Sequence, residues 1–265
     1  MNIRIDTEMK TIEFDRNGSI ELIPLYSKAG IEALTEIWIK VQWNQLAWRS
    51  LSWHGFPLLQ LSEDLLRLQE VLFRLGPDVI VETGVNQGGS AVFFASLCRL
   101  IGKGRVIAID IEIPPNVRDA IAQSPYGDMI TLIESDSVAP ETVRLVRQLI
   151  GRHEKTFFFL DSDHSKSHVL RELNAYADMV SVGSYIVAAD GIMERLGDTP
   201  IGSPKWLHDN PAVAARDFVR TNEDFVIEPP EALFGQEHAI KSLTYWPDAW
   251  LLRRRASANT ADVEV

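Results

Sequence analysis

Residues 77–97, PDVIVETGVNQGGSAVFFASL, pass from an apolar segment of strand length through a glycine-rich turn into a helical pattern. Asp78 to Glu82 is expected to be a strand, and Ser90 to Ile101 the helix behind it. Working outward, strand-length apolar runs recur at Arg105 to Asp110, Met129 to Ile133, Thr156 to Leu160 and Tyr185 to Ala189. Helical patterns at 115–123, 141–150 and 167–176 separate them. Continuous apolar strands alternating with helices predict an α/β fold built on a doubly wound, mostly parallel sheet. Phe225 to Ile227, Leu243 to Trp246 and Trp250 to Leu252 break the alternation. They predict an antiparallel C-terminal edge, with a Pro247-Asp248 turn between the last two strands.

Ahead of this core, Ser62 is expected to cap a helix whose apolar face is Leu65, Leu68, Leu72 and Leu75, stopped by Gly76-Pro77. Residues 11–23 alternate about Asn17-Gly18, the signal of a β-hairpin. Ala29 to Trp48 carries Ile31, Leu34, Ile37, Trp38 and Val41 at helical spacing. The expected organisation is a hairpin-helix appendage over 1–60, a Rossmann-like domain over 61–255 and a polar tail over 256–265.

Composition narrows the classes. With 46% hydrophobic and 24% charged residues and no apolar run of bilayer length, the chain is of ordinary globular type, with no membrane partner expected. Its first residues lack the basic-then-apolar pattern of a secretory signal, so a cytoplasmic location is the expectation. A net charge of -11 repels polyanions, which argues against nucleic acid. The run Arg253-Arg254-Arg255 reads as a solvated element end, and the one cysteine, Cys98, as a buried thiol.

A parallel α/β sheet binds ligands beyond the carboxyl ends of its strands. Gly84, Gly88 and Gly89 let the backbone turn sharply and approach a ligand, with helix amides free behind them. The dinucleotide fingerprint G-x-G-x-x-G needs glycine where Asn86 stands, which speaks against NAD. An acidic residue followed by G-x-x-x-G-G resembles instead the first motif of S-adenosylmethionine enzymes. Glu82 would meet the amino-acid end of that cofactor, and Gly84, Asn86, Gly88, Gly89 and Ser90 would form its loop. Asp110, ending the second strand, can take both ribose hydroxyls. Asp136, after the third, can accept from the adenine amino group or cap a helix before Val138.

The fourth strand runs into Asp161-Ser162-Asp163-His164, and the fifth ends at Ala189-Asp190-Gly191. Asp161 and Asp190 then converge on the cofactor rim, where oxygen ligands around an open position suit Mg²⁺. Such a metal would acidify a substrate hydroxyl while His164 removes its proton. A helix cap is the plainer role for Asp161, and a turn former for Asp190.

Four segments, GFPLLQLSEDLLRLQEVL (55–72), the opening stretch, LDSDHSKSHVLRELNAYADMVSVGSYIV (160–187) and SLTYWPDAWLLRR (242–254), resemble the family named for cephalosporin hydroxylase and rhamnosyl O-methyltransferases. The resemblance runs from about Trp53 to Arg253. It implies a class I fold and a magnesium-dependent transfer of methyl from S-adenosylmethionine to a hydroxyl of a sugar or antibiotic. It further implies Asp161 as first metal ligand, an acidic pair ending the fifth strand, and His164 as base. Ala189 stands where the family usually has glutamate before Asp190, which leaves Asp163, Glu194 or water to complete the set.

Two rival readings stay open: a chain that binds S-adenosylmethionine only as partner to another enzyme, and an iron oxygenase using Asp161, His164 and His168. His168 is otherwise a helix-surface or core residue. Trp43, Trp48, Trp53 and Trp206 could wall a ring-shaped acceptor or serve as core or interface anchors. The N-terminal appendage is expected to cover the cofactor together with the loop from Met193 to Asp209 that Gly197, Pro200, Gly202 and Pro204 interrupt. Exposed tryptophans on the appendage leave room for a homo-oligomer.

Overall fold

The computed structural model describes residues 2–16 and 19–255; the expected Asn17-Gly18 turn and the 256–265 tail lie outside them. Ile12 and Phe14 alternate with charged neighbours and are buried, as a half-buried strand requires. Their strand, β2 (Thr11–Arg16), pairs antiparallel with β1 (Asn2–Asp6) and β3 (Ser19–Pro24), so the expected hairpin carries a third strand. Helix α1 (Lys28–Asn44) starts at Ser27, whose hydroxyl accepts from the Gly30 amide at 3.0 Å, and stops before Leu46, which is left-handed. Its inward residues are Thr35, Ile39 and Trp43, whereas Ile31, Trp38 and Val41, picked out by helical spacing, face outward.

A two-strand clip, β4 (Ser52–Trp53) and β5 (Phe56–Pro57), leads to α2 (Ser62–Leu75). Leu61, not Ser62, is the N-cap of α2, because the Ser62 hydroxyl donates to Glu63. The core then follows as β6 (Val79–Thr83), α3 (Gly89–Ile101), β7 (Arg105–Asp110), α4 (Pro115–Gln123), β8 (Ile130–Glu134), α5 (Pro140–Leu149), β9 (Thr156–Leu160), α6 (Lys166–Tyr176) and β10 (Tyr185–Ala188). Short α7 (Met193–Leu196), α8 (Pro211–Thr221), β11 (Phe225–Ile227) and β12 (Trp250–Arg253) complete the order.

Seven strands form one sheet in the order β11-β12-β10-β9-β6-β7-β8, with β6 to β10 parallel and β12 antiparallel between β10 and β11. Along β9, Phe157 and Phe159 enter the core under α2 and α3, and Phe158 enters the core that Val146, Leu173 and Phe218 fill. Each such phenylalanine contributes roughly 1.5–3 kcal/mol on leaving water. Because the chain runs from β6 out to β8 and returns beside β6 as β9, the strand order reverses between β6 and β9. That reversal opens a crevice above their carboxyl ends.

Leu243 to Trp246 is not a strand. Its backbone bonds elsewhere: the Tyr245 amide donates to Asp64 at 2.7 Å, the Tyr245 carbonyl accepts from Ile192, and the Trp246 amide donates to the Thr244 hydroxyl. Arg253 is not solvated. It is buried, and its guanidinium donates to the carbonyls of Asp178 and Val180 at 2.9 and 2.6 Å. Cys98 is buried in α3, and burial pushes its thiol up to about 11. Among the described residues no helix is long and apolar enough to cross a membrane.

Candidate active site

At the reversal point the ends of β6 and β9 nearly touch: a Cβ on Gly84 would stand 2.0 Å from the Asp161 carbonyl oxygen. Gly84 also has a φ of +94°, which independently favours glycine. Asn86 takes a left-handed φ of 46° and donates its amide to Oδ2 of Asp110 at 2.9 Å. Helix α3 begins at Gly89, where a Cβ would lie 2.0 Å from the Pro57 carbonyl oxygen. The segment after the β4–β5 clip therefore presses directly on the glycine turn.

A cavity of about 190 Å³ opens there, lined by Gly84, Asn86, Gly89 and Ser90 on one side and by Asp161, His164 and Asp190 on the other. Trp43, Trp48 and residues 57–60 form its wall, and among the described residues neither lysine nor arginine lines it. Glu82 lies buried beneath, and neither of its oxygens has a hydrogen-bond partner among the described residues. Burial pushes Glu82 up to about 8; the nearby Ser90 hydroxyl, which makes no bond of ordinary geometry, pulls it down, and Asp110 adds to the rise.

Gly88 sits behind the turn, where a Cβ would meet Ile121 at 2.7 Å. Asp110 ends β7, occupied on one oxygen by Asn86 and contacted on the other by the Glu112 amide at 3.3 Å. Asp136 follows β8, accepts from the Val138 amide at 3.0 Å and does not line the cavity.

Asp161, His164 and Asp190 each offer a ligand atom, all within 4.8 Å of one another. His164 Nε2 stands 3.6 Å from Oδ2 of Asp190, a residue held at a φ of 60°. Burial, then Asp190 and Glu82, hold the Asp161 carboxyl well above the usual range, while Gln60 opposes the shift. Burial also raises Asp190, against the pull of His164. Asp161 does not cap α6, since Ser165 does.

Several expectations fail here. Asp163 accepts from the Ser165 amide and Glu194 pairs with Arg216 at 2.5 Å, so neither completes the ligand set. The iron site is excluded by geometry: His168 turns away to Glu172 at 3.3 Å and the Ser137 hydroxyl at 3.1 Å. Trp53 bonds Ser96 and Trp206 packs against the core, leaving Trp43 and Trp48 at the cavity. Residues 193–209 do not line it; their side is tied to α1 through Lys40–Asp198 and through Asn44, which accepts from Ile201. Gln60 was missed. Its signal is local, a single polar residue within the apolar run Phe56 to Leu61.

The reversed parallel sheet, the glycine turn after its central strand and the antiparallel β12 set between β10 and β11 together match a class I S-adenosylmethionine methyltransferase fold. Consistent with it, the chain superposes on the apo structure of CmcI with a TM-score of 0.54 at 20% identity, over 78% of both chains. It superposes on CmcI with Mg and SAM with a TM-score of 0.50 at 20% identity, again over 78% of both. Residues 45–254 match the family described as Rhamnosyl O-methyltransferase/CmcI, and the chain belongs to that family. It is an S-adenosylmethionine-dependent methyltransferase. A rhamnosyl O-methyltransferase of Mycobacterium leprae is 32% identical over 177 residues, 64% of this chain and 75% of the relative. One of Mycobacterium tuberculosis H37Rv is 31% identical over 164 residues, 60% of this chain and 64% of the relative.

Proposed function

We propose that the protein methylates a hydroxyl of a small molecule of sugar or natural-product type, with a magnesium ion between Asp161 and Asp190 and with His164 as general base. The observation that carries this is electrostatic. Asp161 and Asp190 face a cavity that no lysine or arginine lines among the described residues, and Glu82 lies buried close to Asp161 with no hydrogen-bond partner for its oxygens among those residues. Buried carboxylates of one sign need compensating charge. The sulfonium and ammonium of S-adenosylmethionine, together with a divalent cation, would supply it. Two carboxylates with room for water suit Mg²⁺ in donor type.

When bound, these groups supply an electrophilic methyl carbon and a lowered pKa for the acceptor hydroxyl. The chain's own residues do the rest. Glu82 would meet the ammonium group and Asp110 the ribose hydroxyls, Asp136 would be left for the adenine edge, and the Gly84 to Ser90 turn would let the backbone come close. His164 takes the hydroxyl proton on its ring, and Asp190 steadies the imidazolium that results. Trp43 and Trp48 offer the acceptor a flat apolar wall. Holding both partners in line accounts for much of the rate.

The test is transfer of labelled methyl from S-adenosylmethionine to a panel of hydroxylated glycosides. Asp161→Ala and EDTA should each abolish turnover while S-adenosylhomocysteine still binds, and His164→Ala should lower kcat by about 10²- to 10⁴-fold. Turnover indifferent to EDTA would remove the metal. Cofactor binding with no transfer to any acceptor would favour the non-catalytic partner reading.

A further inference from the structure

Gln60 donates from Nε2 to Oδ2 of Asp161 at 2.7 Å, and only 4% of it is exposed. Among the described residues no other group donates to that carboxylate. The acids around it, Asp190, Glu82 and Glu172, all repel its charge. Among the described residues Gln60 is thus the single donor that fixes the direction of this carboxylate.

The opposite end of the amide makes the case specific. Gln60 Oε1 is buried with no donor among the described residues, an arrangement that a merely space-filling glutamine would avoid. The backbone cannot drift either. The Gln60 amide donates to the Leu58 carbonyl at 2.9 Å, and Pro57 is lodged against Gly89.

We propose that Gln60 is a positioning residue, holding the Asp161 carboxylate in the orientation in which it receives the divalent cation. This rests on Asp161 and Asp190 being cation ligands. Groups that orient a ligand from behind are worth about 10- to 100-fold in metal affinity.

The experiment is titration of the full chain with Mn²⁺, read by electron paramagnetic resonance, beside titration with S-adenosylhomocysteine. Gln60→Met, which keeps the volume and loses the donor, should weaken Mn²⁺ by about 10- to 100-fold and S-adenosylhomocysteine, whose cavity Gln60 also lines, by far less. Gln60→Asn, too short to reach, carries the same expectation and serves where Gln60→Met does not fold. If Asp161→Asn abolishes Mn²⁺ binding while both Gln60 variants bind as wild type, the role of Gln60 is overturned and the cation site stands. If wild type itself binds no Mn²⁺, the cation site and the inference fall together. A loss of S-adenosylhomocysteine affinity as large as that of Mn²⁺ would mark general collapse of the pocket and overturn the assignment to Asp161.

Discussion

A carboxyl that is buried, unpartnered and pushed up to about 8, as Glu82 is, keeps its proton at neutral pH until a cation arrives beside it. Binding of S-adenosylmethionine near about pH 7 should therefore release a proton. The calorimetric binding enthalpy is expected to vary with the ionisation enthalpy of the buffer, and Glu82→Gln to remove that variation. Loss of a charged hydrogen bond, about 1.5–3 kcal/mol, should also weaken the variant's affinity about 10- to 150-fold. A buffer-independent enthalpy in wild type would place the ammonium elsewhere. Glu82 was legible from sequence because it belongs to a local strand-and-turn pattern. Gln60 was not, since it meets Asp161 across 101 positions, a distance that periodicity does not register.

At the scale of elements, α3 and the segment behind the β4–β5 clip are closed on each other without a gap. In Gly89→Ala the new methyl group would displace the Pro57 carbonyl, an overpacking cost of about 1–3 kcal/mol. The melting temperature should fall by about 2–4 °C per kcal/mol, and S-adenosylhomocysteine affinity should fall with it, as calorimetry would record. An unchanged melt would mean that the segment lifts away freely. The five parallel strands were readable because burial on both faces writes an unbroken apolar run. Leu243 to Trp246 is equally apolar, yet Asp64 and Thr244 take its amides, and such side-chain capture leaves no trace in hydrophobic spacing. The outward residues of α1 misled for a related reason: spacing reports a stripe but not which stripe is covered.

Taken as a whole, the molecule carries four acids that burial displaces upward: Asp64 to about 7, Glu82 to about 8, and Asp161 and Asp190 in the same direction. A raised carboxyl holds its proton longer in the folded than in the unfolded state, so folding stability falls as pH rises from about 4.5 to about 8. His168, raised by Glu172, acts with the same sign, its contribution being complete below the ordinary histidine value and lost above the folded one. The melting temperature of the ligand-free protein should decline across this window, and S-adenosylhomocysteine with Mg²⁺ should flatten the decline. A ligand-free melt that rises with pH would contradict it. The sheet order has a practical corollary. Although β12 is the last strand among the described residues, it lies between β10 and β11, and Arg253 fastens it to the carbonyls of Asp178 and Val180. A stop codon after residue 255 would spare every described strand. One placed before Trp250 would strip the partner from two strands at once, leaving open apolar edges and a chain that precipitates rather than merely losing its end.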